Sequence, residues 1–172
     1  IHSYGKKSAA EIVNGAKPYF NVMPVESREE LEAALNEATP DHPRFGFYHG
    51  GYTVLELKDP DVMARLLPER DPAWRMLDVS VLHEVIIERL MDISAEAVER
   101  KENIEYLRDP QMGYDAVDDG DAEFLFVLNP TRMEQVRACT KAGEKMPQKS
   151  TDFYPKVISG MVMMPIGLDE RL

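Results

Sequence analysis

Arg44-Phe45-Gly46-Phe47-Tyr48-His49-Gly50-Gly51-Tyr52-Thr53-Val54-Leu55-Glu56-Leu57-Lys58 holds two strand-like runs, residues 44–48 and 52–58, about a Gly50-Gly51 pair. Tyr, Phe, Val and Thr suit a pleated surface. A Gly-Gly pair between alternating apolar runs predicts a β-hairpin, because the primed turns need positive φ.

On the N-terminal side, residues 19–25 alternate apolar and polar and read as a third strand. Before it, residues 8–16 form a short predicted helix with Ala9, Ile12, Val13 and Ala16 on one face. Ser8 is its cap candidate, Gly15 weakens its end and Pro18 stops it. Ser27 with Glu30 makes a capping box for a helix that turns Leu31, Ala34, Leu35 and Ala38 inward. Thr39-Pro40-Asp41-His42-Pro43 is a break before the hairpin.

On the C-terminal side, Asp59-Pro60 opens a short helix through Leu66, and residues 68–72 form a charged connector. Residues 78–91 carry the strongest helical pattern: Val79, Leu82, Ile86 and Leu90 recur at three- and four-residue steps, behind Asp78 as N-cap. A helical turn is predicted over 94–100, a strand over 103–107 and a helix over 110–117 with Met112 and Val117 apolar. The near-continuous apolar run 122–128 predicts a strand buried on both faces. A helix over 131–142 follows, with Met133, Val136 and Cys139 inward and Gly143 at its end. Residues 145–156 are irregular, and 157–166 read as a last strand. Strands and helices mix without strict βαβ order. The predicted class is therefore α+β: mixed sheet or sheets, a hairpin-containing N-terminal part, and helices packed on one face. A subdomain seam is placed near residues 67–74.

The chain has 20 Lys and Arg against 31 Asp and Glu, a net charge of −11 that argues against phosphate-rich nucleic acid as a partner of this domain. No apolar stretch is long enough to cross a membrane as a helix. A single cysteine, Cys139, excludes an internal disulfide framework, and with no export signal it predicts a reducing cytoplasm. The sequence opens at Ile1-His2-Ser3 without Met, which is read as a sign that further residues of the same polypeptide lie upstream.

Several residue groups invite a chemical reading. His83-Glu84-Val85-Ile86-Ile87 lacks the second histidine that a zinc-binding helix needs four positions on, so His83 reads as a satisfied core histidine beside Val79, Ile86 and Leu90. The four histidines, 2, 42, 49 and 83, show no metal-ligand spacing. Asp109, Asp115, Asp118, Asp119, Asp121 and Glu123 do not match a calcium loop and read as a solvated turn. The stretch 145–156 is the main candidate. Lys149, Ser150, Thr151 and Lys156 could together hold a phosphate or carboxylate, with lysines as point charges, and Tyr154 lies beside them. The alternative is a loop bracing the last strand. No phosphate-loop glycines precede Lys149. Asn129-Pro130-Thr131 would sit where a strand end opens a helix, a place that favours anions, so Asn129 and Thr131 join the candidates; a plain turn capped by Thr131 is the other reading.

Three stretches carry a resemblance: Leu77-Asp78-Val79-Ser80-Val81-Leu82-His83-Glu84; Glu123-Phe124-Leu125-Phe126-Val127-Leu128-Asn129-Pro130-Thr131 with Met133-Glu134-Gln135-Val136; and Met146-Pro147-Gln148-Lys149-Ser150-Thr151-Asp152-Phe153-Tyr154-Pro155-Lys156 running on to Ser159-Gly160. In that order they resemble the C-terminal half of the DUF1015 family, a prokaryotic group of unknown function, over residues 45–166. The resemblance implies that residues 1–172 are the C-terminal α+β domain of a longer protein. The absent N-terminal half would carry a Gly-His-His-Arg-type motif that looks distantly like ParB and free-serine-kinase proteins. His2 would then be the last piece of that upstream site. The function implied is part of a phosphoryl-transfer or nucleotide-using enzyme acting on a small anionic substrate, with ATP and Mg as candidate cofactors of the full-length protein. The alternative is a non-enzymatic ligand-sensing or dimerisation module, in which a homodimer is the natural assembly.

Overall fold

A computed structural model describes residues 1–147 and 150. Four strands form one antiparallel sheet in the order β1-β3-β2-β4. β2 (Arg44–Tyr48) and β3 (Tyr52–Leu57) are the hairpin at its centre, with Tyr48 opposite Tyr52 and Arg44 opposite Glu56. The connection is the three residues His49, Gly50 and Gly51, not a two-residue primed turn, and only Gly50 takes a left-handed conformation, at φ +85°. β1 (Phe20–Val25) pairs with β3 at one edge, where Pro24 is tolerated because an edge strand can lack a donor. β4 (Leu125–Val127) pairs with β2 at the other edge.

The α+β class is as expected. The four strands are antiparallel throughout, which is narrower than the mixed arrangement expected, and helices cover both faces of the sheet where one was expected. Alternation along the strands explains the second point. Phe45, Phe47, Leu55 and Leu57 point to one side, into a large core with Phe20 and with Ile12 and Ala16 of α1 (Ala9–Ala16). Val54 points to the other side, where Leu31 and Leu35 of α2 (Arg28–Asn36) close a smaller core. Gly46 lies under Leu31: a Cβ there would stand 2.6 Å from a Leu31 methyl group.

Local signals placed the early helices well. The Ser8 hydroxyl accepts from the Glu11 N–H and the Glu11 carboxylate accepts from the Ser8 N–H, a complete capping box. α2 has half a box. Ser27 accepts from the Glu30 N–H, but the Glu30 carboxylate takes the N–H of Glu26, one residue before the cap.

Later elements depart further from expectation. α3 (Asp61–Leu66) and α4 (Pro72–Arg75) precede α5 (Asp78–Val81), and α5 runs directly into a π-helix, Leu82–Leu90. Leu77, not Asp78, is the cap residue. Val85, Ile86 and Ile87 are all buried, more consecutive burial than one α-helical stripe supplies, and the π-turn, with more residues per turn, narrows the arc they span. After α6 (Ala95–Arg100), residues 103–107 are not a strand. Asn103 accepts from the His2 N–H and its amide donates to the Ser3 carbonyl, so its polar groups are taken outside any ladder, and Ile104 alone is buried there.

α7 (Pro110–Asp118) packs on β4, and its Gly113 lets Leu125 approach closely. β4 is three residues long and half-buried, not a strand covered on both faces. It is an edge among the described strands, and the N–H groups of Glu123 and Phe124 just before it donate to the Ile1 carbonyl. α8 (Met133–Lys141) starts later than expected, because the Thr131 hydroxyl donates to the Ser150 carbonyl and does not cap the helix. Gln135 accepts from the Arg132 N–H at that end. Met133 is 48% exposed, whereas Cys139 faces inward as expected. The strand expected over 157–166 lies outside the described residues.

Candidate functional site

The π-helix presents two faces. Its apolar side enters the large core. Its other side carries a stripe at positions 80, 83, 84, 87 and 88, spaced i, i+3, i+4, i+7, i+8 from the end of α5 onward. This stripe forms one wall of a groove of about 280 Å³, close to the lower end of the ~300–1,000 Å³ typical of small-ligand pockets. α6 supplies the facing wall through Val98 and Glu99, and the segment after it adds Lys101 and Tyr106. Trp74 of α4 and Pro147 close one end.

Ser80 is the most telling residue of the wall. It is 1% exposed, and its hydroxyl has no hydrogen-bond partner in the described structure. Leaving a buried hydroxyl unmatched costs about 1–3 kcal/mol. His83 sits one turn on, half-buried, stacked parallel to the Tyr106 ring with 6.1 Å between centroids. Its Nε2 and the Tyr106 phenol oxygen share a hydrogen bond of 3.2 Å. Burial lowers the His83 pKa and raises that of Tyr106, so both are neutral near pH 7. His83 is thus satisfied, as expected, but it faces the groove.

Glu84, half-buried beside the imidazole, has its carboxyl pushed above the usual range, first by burial and then by the neighbouring Glu88 charge. Glu88, Glu99 and Lys101 are exposed along the rim. Lys101 holds a left-handed backbone, φ +55°, at the C-terminal end of α6, where glycine is the common choice. Trp74 is anchored by its indole N–H to the Lys145 carbonyl at 3.0 Å, while the Arg70 guanidinium covers its ring and pairs with Glu144.

The residues singled out from the sequence do not gather here as a group. The Asn129 amide donates to the Leu35 carbonyl, tying the end of β4 to α2. Thr131 and Ser150 meet: the Thr131 hydroxyl donates to the Ser150 carbonyl, and the buried Ser150 hydroxyl donates to the Pro147 carbonyl. The His2 N–H donates to Asn103. Lys149, Thr151, Tyr154 and Lys156 lie outside the described residues. Within the acidic stretch, Asp118 accepts from the Tyr48 hydroxyl, Asp109 from the Gln111 N–H, and Glu123 from the N–H groups of Tyr4 and Gly5.

Sequence reasoning missed Ser80, Glu84 and Tyr106. The signal for the first two was present: the polar stripe Ser80, His83, Glu84, Glu88 runs along the strongest helical pattern, beside the apolar one. Tyr106 had no such signal, since its place depends on the turn after α6.

Among the described residues no three His, Cys, Asp or Glu side chains converge to hold a metal ion, and no helix is long and apolar enough to cross a membrane. Comparison of the chain with protein-family models, with curated proteins and with solved structures finds no match in any of the three.

Proposed function

We propose that this chain is a small-ligand-binding α+β domain whose site is the groove between the π-helix and α6. The observation that carries the reading is the buried, unmatched Ser80 hydroxyl in the groove wall. A ligand that meets this hydroxyl recovers the cost of burying it. The π-turn adds support, because such turns recur at functional sites.

The chain's single tryptophan, Trp74, lines the groove, so its emission reports occupancy. The test is a metabolite screen read by Trp74 emission on the wild-type chain and on Ser80→Ala. The expected result is at least one compound that shifts the wild-type signal and binds the variant about tenfold more weakly, as loss of one good hydrogen bond implies. A screen in which every binder is indifferent to Ser80→Ala overturns the reading.

A second reading follows from the resemblance to the DUF1015 family: the chain is the C-terminal part of a cytoplasmic phosphoryl-transfer or nucleotide-using protein. What favours it is position. Pro147 lines the groove and Lys145 holds the Trp74 indole, so the lysine-bearing stretch begins at the groove's end. Lys149, Ser150, Thr151 and Lys156 would then bind the anionic part of the substrate. The longer polypeptide, screened with ATP, serine and phosphoserine, is expected to show turnover or binding. Neither being seen removes this reading and leaves the binding-domain reading standing.

A further inference from the structure

We infer that the groove takes a small organic cation, an amine or guanidinium group carried on an apolar body. This deepens the binding-site reading above and rests on it.

The charges set the sign. Glu84 and Glu88 stand on the π-helix wall and Glu99 on the α6 wall, against a single lining cation among the described residues, Lys101. His83 adds no positive charge, because burial disfavours its protonated form. No ion pair or hydrogen bond joins these three carboxylates to Lys101 or to any other described side chain. Arg70 and Arg89 offset part of the field at Glu84 from outside the lining, but the Arg70 guanidinium is already paired with Glu144. An anion would meet three carboxylates at once.

The independent observation is the Ser80 hydroxyl. It is buried and unmatched in the same lining, and its lone pairs can accept an N–H. The Trp74 and Tyr106 rings also line the groove, one side of each taken by Arg70 and His83 respectively. Ile87, Ile93 and Val98 line the rest and suit a hydrocarbon body. The carboxylates are too dispersed for a metal ion, which leaves an organic cation whose contacts spread along the groove.

The test uses three probes of one shape: benzylamine, benzyl alcohol and benzoate, titrated against Trp74 emission at physiological ionic strength. Benzylamine is expected to bind about tenfold or more tightly than benzyl alcohol, with benzoate weakest, as a charge-assisted hydrogen bond implies. Glu84→Gln is expected to remove most of the preference for benzylamine over benzyl alcohol. Glu99→Gln, at an exposed site that does not disturb folding, is expected to reduce it in part. Benzyl alcohol or benzoate binding as well as benzylamine overturns the cation inference and leaves the groove as the site. If no probe moves Trp74 emission, the inference also falls, and the groove reading is then judged by the Ser80→Ala screen alone.

Discussion

Asp78 shows how one residue couples the groove's helix to pH. It occupies the first position of α5, half-buried, with no side-chain cap bond at that helix end. Burial raises its pKa to about 6, against the opposing pull of the Arg132 charge. The folded state therefore binds the proton more tightly than the unfolded chain, where the value is about 3.9. Its contribution is fully present below pH ~4 and is lost as pH rises through about 6. Other acids work the opposite way: Arg65 and the Asp61 N–H lower Asp59, and Asn21 and Arg44 lower Glu56. The wild-type profile mixes these signs, so the difference from a single variant is the useful quantity. Asp78→Asn keeps the shape and removes the titration. In urea unfolding it is expected to exceed wild type in stability at pH 7 by on the order of 1–2 kcal/mol, screened by partial exposure. The gap is expected to shrink as pH falls below about 6 and to close only below about pH 3.9, the unfolded value, where the wild-type carboxyl is protonated in both states. A gap that does not change with pH removes the burial explanation.

At the scale of elements, the contact between α2 and the hairpin depends on one absent side chain. Gly46 lies directly beneath Leu31, which is fully buried, so a Cβ at position 46 would force the Leu31 side chain to shift within the core. Gly46→Ala is expected to destabilise the chain by about 1–3 kcal/mol, the usual cost of overpacking a core, measured by chemical denaturation. Unchanged stability would mean that α2 moves freely on the sheet. The hairpin, the capped helices and β1 were legible in the sequence because their signals are local: alternation, a serine cap with its glutamate, a glycine pair. What packs on which face was not local. α2 covers the second face because Val54 and Gly46 point there, and helix periodicity does not record that choice. Residues 103–107 looked extended and apolar enough for a strand, yet Asn103 is held by the segment at His2 and Ser3, a partner about a hundred positions away. The groove was half legible for the same reason. The stripe from Ser80 to Glu88 is periodic and visible, whereas the facing wall from Val98 to Tyr106 exists only once α6 has folded back. The π-turn that opens the stripe outward has no pattern separating it from an α-helix in a run as apolar as Val85-Ile86-Ile87.

Beside the small core under α2, the described residues form two further apolar clusters, unequal in size. The larger core holds twenty buried residues, drawn from β1, β2, β3, α1, α3, α5, the π-helix and the segments between them. The smaller holds four: Trp74, Leu77, Val79 and Cys139, joining α4 and α5 to α8. Leu67 packs partly against both and is the joint between them. A subdomain seam near residues 67–74 is an expectation from the sequence, and unfolding is the test of it. A cluster with few buried contacts opens at lower free energy than a full core. Trp74 belongs to the small cluster, so its emission follows that cluster, while far-UV circular dichroism follows the helices and the sheet together. In a urea titration the Trp74 transition is expected to precede the dichroism transition. Leu67→Ala is expected to widen the separation by removing the shared contact, at a cost of about 1–3 kcal/mol because the residue is only partly buried. Coincident transitions in both proteins would show that the two clusters unfold as one cooperative unit with no seam. Because Trp74 also lines the groove, a ligand bound there bridges the small cluster and the π-helix of the large one. Such a ligand is expected to draw the two transitions together, and a ligand that leaves their separation unchanged does not couple the two clusters.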